Sequence, residues 1–229
     1  MTHLKIKILP VLMLLVGVHV SFALTLQAQQ SSRGMTIEDI TKLKYVTGVE
    51  LSNDGNYIAY TVTDPADPMK SNRSAENHLY VYNAEADESK AYYTNGSVGD
   101  VSFRPGKDAI TFTTRMEGEK KNAVFEMPLH GGGATKLFQY ETSIMDYEWA
   151  SNGEKLAFTA YEKGNKEDYK LPFQPDIYEE GLTNRKGFVI DFSEANAEVK
   201  PLKVEGTIYT VRWSPDGSQL VFDSNRNGD

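Results

Sequence analysis

Four stretches of this chain share one layout: an apolar residue, a tight polar turn, then an alternating apolar run that begins seven positions after the first residue. The clearest is VRWSPDGSQLVFDS, where Trp213 is followed by Leu220. In the same frame Leu51 precedes Ile58 in LSNDGNYIAYTVT, Phe103 precedes Ile110 in FRPGKDAITFTT, and Trp149 precedes Leu156 in WASNGEKLAFTAY. The anchors 51, 103, 149 and 213 lie 52, 46 and 64 positions apart. A period of roughly 40 to 50 residues is that of propeller blades. After each turn, alternate residues share one strand face: Ile58, Tyr60 and Val62; Ile110 and Phe112; Leu156 and Phe158; Leu220 and Phe222. One hairpin cannot bury such a face alone, and stacked copies supply the missing partner. A single Asp-Gly turn before an apolar strand fits any β protein, whereas four copies in one frame make a repeat.

The turn residues are Asp54 and Gly55, Pro105 and Gly106, Asn152 and Gly153, Asp216 and Gly217. Pro presets φ, Gly accepts φ > 0, and Asp or Asn side chains bond the turn amides. These positions are therefore read as structural. Asp54, Asn152 and Asp216 sit in separate repeats, so no metal site is expected, and no cofactor.

Each repeat continues in the same way. After the first turn strand come a polar loop over 64–77, the strand HLYVYNA, a turn over 85–89 and AYYT. The second repeat has the loop MEGEKKN, the strand AVFEMPL, the turn HGGG and ATKLF. The third has an expanded loop over 162–185, then GFVIDF, a turn over 193–197 and EVKPL. The fourth begins at Gly206 and reaches Asp229 directly after its turn strand. The expected fold is all-β: a partial propeller of about three and a half blades over 45–229, preceded by a linker and one short helix over 29–44. Open blade edges invite aggregation, so the sequence is read as part of a longer protein or a truncated gene product. The helix expectation rests on MTIEDITKLK, where Thr36 and Asp39 form a capping-box pair and Ile37, Ile40 and Leu43 recur at helical spacing.

Residues 1–28 read as a secretory signal peptide: a basic start with Lys5 and Lys7, an apolar run from Ile8 to Leu26, and cleavage expected after Ala28. That predicts a periplasmic or secreted protein with no other membrane segment. The net charge is −8, and removing those two lysines leaves 22 basic and 32 acidic side chains, or −10. Such an acidic surface argues against nucleic-acid binding. There is no cysteine, which excludes disulfides, thiolate metal sites and a Cys nucleophile. Asn72-Arg73-Ser74 and Asn95-Gly96-Ser97 match glycosylation acceptors and carry little weight.

MTIEDITKLKYVTGVELSNDGNYIAYTVT resembles the opening of exported bacterial peptidases of the prolyl oligopeptidase family, of the acylaminoacyl-peptidase-like or dipeptidyl-peptidase-like kind. VRWSPDGSQLVFDSNRNGD resembles the WD40-like repeat of their N-terminal propeller. The resemblance covers nearly all of 35–229. It implies a propeller that filters peptides above an α/β-hydrolase domain carrying a Ser-Asp-His triad. No catalytic residue of that kind is expected here: the G-x-S-x-G nucleophile elbow is absent, and Gly96-Ser97-Val98-Gly99 has the wrong spacing. His130-Gly131-Gly132-Gly133 matches a lipase oxyanion-loop string, but its place in the repeat reads as a hairpin turn. Tyr178-Glu179-Glu180, followed by Arg185, lies in the expanded loop. Dipeptidyl-peptidase relatives use a propeller Glu pair to hold a substrate's free α-amino group, so the resemblance makes Glu179, Glu180 and Arg185 candidate substrate-binding residues. The plain alternative is a solvated acidic loop.

The function expected from the sequence is therefore the substrate-gating portion of a serine-type peptidase, inactive by itself, meeting peptide substrate through a hydrolase domain this chain lacks. The competing expectation is a non-enzymatic TolB-like periplasmic propeller that binds a protein partner. A degraded gene is a third. The sequence leaves the oligomeric state open.

Overall fold

In the computed structural model, which describes residues 33–163 and 183–225, antiparallel strands form three four-stranded sheets and one two-stranded sheet. Blade 1 is β1 (Val46–Leu51), β2 (Tyr57–Asp64), β3 (Glu76–Asn83) and β4 (Glu88–Tyr93). Blade 2 is β5 (Val98–Phe103), β6 (Ala109–Thr114), β7 (Ala123–Pro128) and β8 (Thr135–Phe138). Blade 3 is β9 (Ile144–Trp149), β10 (Lys155–Tyr161), β11 (Arg185–Asp191) and β12 (Val199–Pro201). Blade 4 holds β13 (Thr207–Trp213) and β14 (Leu220–Asn225). Each full sheet is a meander in chain order. The fold is the expected partial propeller.

The seven-residue frame is a pairing register. Leu51 faces Ile58, Phe103 faces Ile110, Trp149 faces Leu156 and Trp213 faces Leu220 across the first two strands of each blade. Two turn chemistries close that same span. In blades 1, 3 and 4 the glycine is the fourth residue after the anchor, with φ of 73°, 66° and 68° at Gly55, Gly153 and Gly217. In blade 2, Pro105 comes first and Gly106, at φ 69°, one position earlier, as a type II turn requires. Side chains brace the turns. Asp54 accepts from the Ser52 hydroxyl at 2.6 Å and the Asn56 amide at 3.0 Å. Asp216 accepts from the Ser214 hydroxyl at 2.5 Å and the Ser218 amide at 3.0 Å. These bonds, the Ser214 hydroxyl first, hold the Asp216 carboxyl down at about 2. Asn152 accepts from the Glu154 amide at 3.1 Å.

The apolar frame face of blades 2, 3 and 4 packs on the blade before it. Ile110 and Phe112 share a cluster with Ala59, Leu79 and Val81 of blade 1. Leu156 and Phe158 share one with Val124 of blade 2. Leu220 joins Val211 and Ile208 against Ala157 of blade 3. The opposite strand face, which the alternation leaves for solvent, is buried as well in the interior blades: every residue of β6 is buried. Small β-branched residues make that possible, with Thr111 and Thr159 fully buried beside Ala157 and Ala109. Thr packs a pleated surface well; the Thr111 hydroxyl meets donors of the next blade, whereas that of Thr159 is buried with no hydrogen-bond partner.

A second regularity follows from the same frame. The residue eight positions after the anchor of one blade meets the residues five and two positions before the anchor of the next. Ala59 clusters with Val98 and Val101. Ala157 clusters with Ile208 and Val211. Thr111 occupies that place in blade 2 and accepts a hydrogen bond from Tyr147 at 3.0 Å.

The expected hairpin at His130 is present: Gly131 and Gly132 take φ of 103° and 134° between β7 and β8, and the Gly131 amide donates to the Pro128 carbonyl at 3.4 Å. Residues up to Ile40 form a unit separate from the blades. In it α1 spans only Ile37–Ile40, shorter than the MTIEDITKLK pattern. The capping pair forms, with the Thr36 amide donating to Asp39 at 2.9 Å and the Asp39 amide to the Thr36 hydroxyl at 3.3 Å. Ile37 and Ile40 remain exposed, so no buried stripe extends the helix beyond its cap. Residues 1–28 lie outside the described residues.

Candidate functional site

Of the residues proposed from the sequence to meet substrate, Glu179 and Glu180 lie outside the described residues. Arg185 opens β11. Its guanidinium lies 5.4 Å from the Tyr161 ring and 6.0 Å from the Tyr209 ring, and donates to the Tyr209 carbonyl at 3.2 Å. Arg185 therefore bridges blades 3 and 4, while its buried Nε has no hydrogen-bond partner. Beside it, Lys186 donates to the Gly206 carbonyl at 3.0 Å and faces Glu162 at 3.8 Å. Lys186, Phe188, Tyr140 and Leu202 line an open cleft of about 570 Å³. A second cleft, about 470 Å³, lies between blades 1 and 2 and is lined by Tyr57, Asn83, Tyr92, Met127 and His130.

The strongest charged constellation was not singled out from the sequence. It lies on the first strand of each blade, and those strands neighbour one another at the converging edge of the sheets. Asp146 of β9 accepts from Arg212 of β13 at 2.8 Å and from the Val211 amide at 3.2 Å. Glu148 accepts from the Trp213 amide at 2.5 Å. Blade 3 thus holds the first strand of blade 4 through two carboxylates. Asp100 lies within a bulge in β5, with φ 36°, and is reached by the Thr113 hydroxyl at 3.4 Å. Crowding by protein, then the like charge of Asp146, raises its carboxyl above the ordinary range. Burial and Glu148 raise Glu50 of β1 in the same way. The bond to Asp146 raises Arg212.

This edge presents four carboxylates and one guanidinium. It favours an ammonium or guanidinium group over an anion. Among the described residues it contains no nucleophile-and-base pair, and no group of three or more His, Cys, Asp or Glu is placed to hold a metal ion. The signal in the sequence was positional: Glu50 and Glu148 both precede an anchor, and Asp100 and Asp146 both lie three before one.

Asp100→Asn is expected to stabilise the chain slightly near neutral pH. The folded chain favours the acid form of Asp100, so the wild type is penalised above the folded pKa and relieved below the unfolded value of about 4. The gain should be a few tenths of a kcal/mol, because Asp100 reaches solvent and its repulsion is screened. Urea midpoints at pH 7 and pH 3.5 measure it; a gain that persists unchanged at the lower pH would contradict the electrostatic origin.

No family model matches the sequence. The chain is 26% identical over 216 residues to an uncharacterised peptidase, YuxL of Bacillus subtilis strain 168, covering 83% of this chain and 31% of that protein. Among solved structures it is similar to the acylaminoacyl peptidase of Pyrococcus horikoshii, with 19% identity, a TM-score of 0.54, and coverage of 74% of this chain and 26% of that one. TolB of Acinetobacter baumannii aligns with 15% identity and a TM-score of 0.54 over 78% of this chain and 37% of its own. The chain spans about a third or less of the length of the peptidases it matches. The resemblance read from MTIEDITKLK and the Asp-Gly repeats, to the propeller part of such peptidases, is met by the sequence relative. The solved structures share the fold.

Proposed function

We propose that this chain is the substrate-gating propeller portion of a longer, exported serine-type peptidase. The observation that carries the reading is the sequence relative, named as a peptidase and matched over most of this chain but only 31% of its own length. The solved structures do not choose between a peptidase propeller and a TolB-like one, because both align with a TM-score of 0.54. In this reading the blades restrict which peptides reach a hydrolase domain encoded elsewhere in the parent. Residues 1–28 direct export and are removed after Ala28. Glu179 and Glu180, close in sequence to Arg185, hold the free α-amino group of the substrate by charge-assisted hydrogen bonds.

The test is made on the natural full-length product. It is expected to be labelled by a peptidyl chloromethyl ketone and to hydrolyse short peptides, while the 229-residue chain does neither. Glu179→Ala in that product should raise KM for substrates with a free N-terminus by tenfold or more, about 1.4 kcal/mol, and leave N-acylated substrates unaffected. Equal effects on both substrate classes would remove the amine-holding role. A full-length product with no labelling and no hydrolysis would favour the protein-binding propeller.

A further inference from the structure

The chain contains three Asn-Gly pairs: Asn95-Gly96, Asn152-Gly153 and Asn227-Gly228. The third lies outside the described residues. In such a pair the backbone nitrogen of the glycine can attack the side-chain carbonyl carbon of the asparagine. Glycine favours this because it has no Cβ to obstruct the approach and reaches backbone conformations closed to other residues. The fold treats the first two pairs in opposite ways.

Asn152-Gly153 belongs to the turn after the blade 3 anchor, and both reacting groups are held there. The Gly153 amide donates to the Ala150 carbonyl at 2.8 Å. The Asn152 side chain accepts from the Glu154 amide at 3.1 Å and donates to the Glu154 carboxylate at 3.1 Å. The Gly153 carbonyl accepts from Arg104 Nε at 2.9 Å, and a methyl group on Gly153 would be driven into the Pro105 carbonyl. The attacking nitrogen is occupied, its target is clamped, and the backbone has no room to lengthen.

Asn95-Gly96 lies in the connection from β4 of blade 1 to β5 of blade 2. Asn95 is exposed and Gly96 takes φ 123°. Among the described residues neither the Asn95 side chain nor the Gly96 amide makes a hydrogen bond. The space around Gly96 is open: an atom added at its Cβ position would lie 3.9 Å from its nearest neighbour, the Arg115 carbonyl oxygen. The next residue is tied down, since the Ser97 hydroxyl accepts from the Asn77 amide at 3.1 Å and the Ser97 carbonyl from the Thr114 hydroxyl at 2.9 Å.

We propose that Asn95 is a site of spontaneous deamidation in the folded chain, where an isoaspartyl linkage enters the connection between blades 1 and 2 while Asn152 is spared. The Gly96 nitrogen loses its proton and bonds to Asn95 Cγ. The bond from Cγ to the side-chain nitrogen breaks, and ammonia leaves with that proton. Water then opens the resulting succinimide at either carbonyl. Opening at the backbone carbonyl leaves an isoaspartyl residue, and opening at the former side-chain carbonyl leaves aspartate. Ammonia departs, water is taken up, and no oxidant or reductant is needed. The isoaspartyl product carries one more negative charge and one more backbone methylene two positions before Ser97, which fastens the connection to both blades. The inference rests on two turns within blades 1 to 3 and uses neither the ends of the chain nor the peptidase reading.

The test needs no variant, because both sites are read in the same molecule. The chain is held at about pH 8 and 37 °C, sampled over days, digested and analysed by mass spectrometry, with electron-transfer fragmentation separating isoaspartate from aspartate. The Asn95 peptide is expected to convert at least tenfold faster than the Asn152 peptide, with isoaspartate the larger product. In concentrated urea the two rates should come within about twofold of each other, since unfolding frees the Gly153 amide and the Asn152 side chain. Equal rates in the folded chain, or faster conversion at Asn152, would overturn the proposal. So would a tenfold difference that persists in urea, which would assign the rates to neighbouring residues in sequence and not to the fold. An Asn95 that converts only once the chain is unfolded would overturn it as well.

Discussion

Arg104→Ala is expected to destabilise the chain by about 3 kcal/mol, the low end of the range for breaking a buried ion pair, because the Glu126 left behind keeps 24% of its side chain exposed. Arg104 is 5% exposed and stands directly after the blade 2 anchor. Its Nη1 donates to Glu126 at 2.6 Å within blade 2. Its Nε donates to the Gly153 carbonyl of the blade 3 turn at 2.9 Å. Its guanidinium lies 4.2 Å from the Trp149 ring centroid and 5.6 Å from that of Phe192. One side chain thus joins the turns of two blades, and alanine leaves a carboxylate and a carbonyl without their donor. The turns are also in direct contact: a methyl group on Gly153 would be driven into the Pro105 carbonyl. Arg104→Lys should recover less than half of the loss, because an ammonium can neither lie flat on Trp149 nor serve both acceptors with a fixed fork. Urea unfolding, with the midpoint falling and the slope unchanged, is the measurement. A loss under 1 kcal/mol for Arg104→Ala would mean that the blades are held by apolar contact alone.

The fold was legible because a propeller writes its register into the chain. The anchor and the residue seven positions later are cross-strand partners in all four copies, so a spacing visible in letters was a pairing in space. The hairpin at His130 was legible for a similar reason, as only a turn fits between two strands of one blade. What the alternation did not show was the second buried face. Thr111, Thr113 and Thr159 alternate with the apolar face, yet they too are buried, because each interior blade is covered on both sides. Periodicity reports polarity, and a Thr hydroxyl counts as polar whether the residue faces water or a neighbouring blade. Arg104 was hidden differently. It sits where two other copies have Ser52 and Ser214, and only the packing shows that it reaches across to blade 3. The carboxylates of the first strands were hidden because they act between blades 46 to 64 residues apart in sequence, and no local pattern carries that information. The helix pattern over MTIEDITKLK was legible as a start signal, since the capping pair forms; its length was not, because length depends on burial.

Thr111→Val, a change of almost no volume, is expected to cost about 3 kcal/mol. The Thr111 hydroxyl is fully buried and saturated: it accepts from the Tyr147 hydroxyl at 3.0 Å and from Trp149 Nε1 at 2.9 Å, and donates to the Ser102 carbonyl at 3.1 Å. Valine fills the space but leaves two buried donors of blade 3 unpaired, at about 1–3 kcal/mol each. Burial drives the Tyr147 hydroxyl far above its ordinary pKa, so it stays a neutral donor across the usual range and the penalty should not vary between pH 5 and 9. Thr111→Ser keeps the hydroxyl and should lose only the methyl contribution, about 1 kcal/mol. Tyr147→Phe removes one of the stranded donors, so the double change with Thr111→Val should cost less than the sum of the single ones. Tryptophan fluorescence during urea unfolding reads the effect at Trp149 itself. If valine and serine at position 111 proved equally stable, the hydroxyl would be a passenger in an apolar interface, and cohesion between blades 2 and 3 would have to be assigned to Arg104 and the aromatic contacts around it.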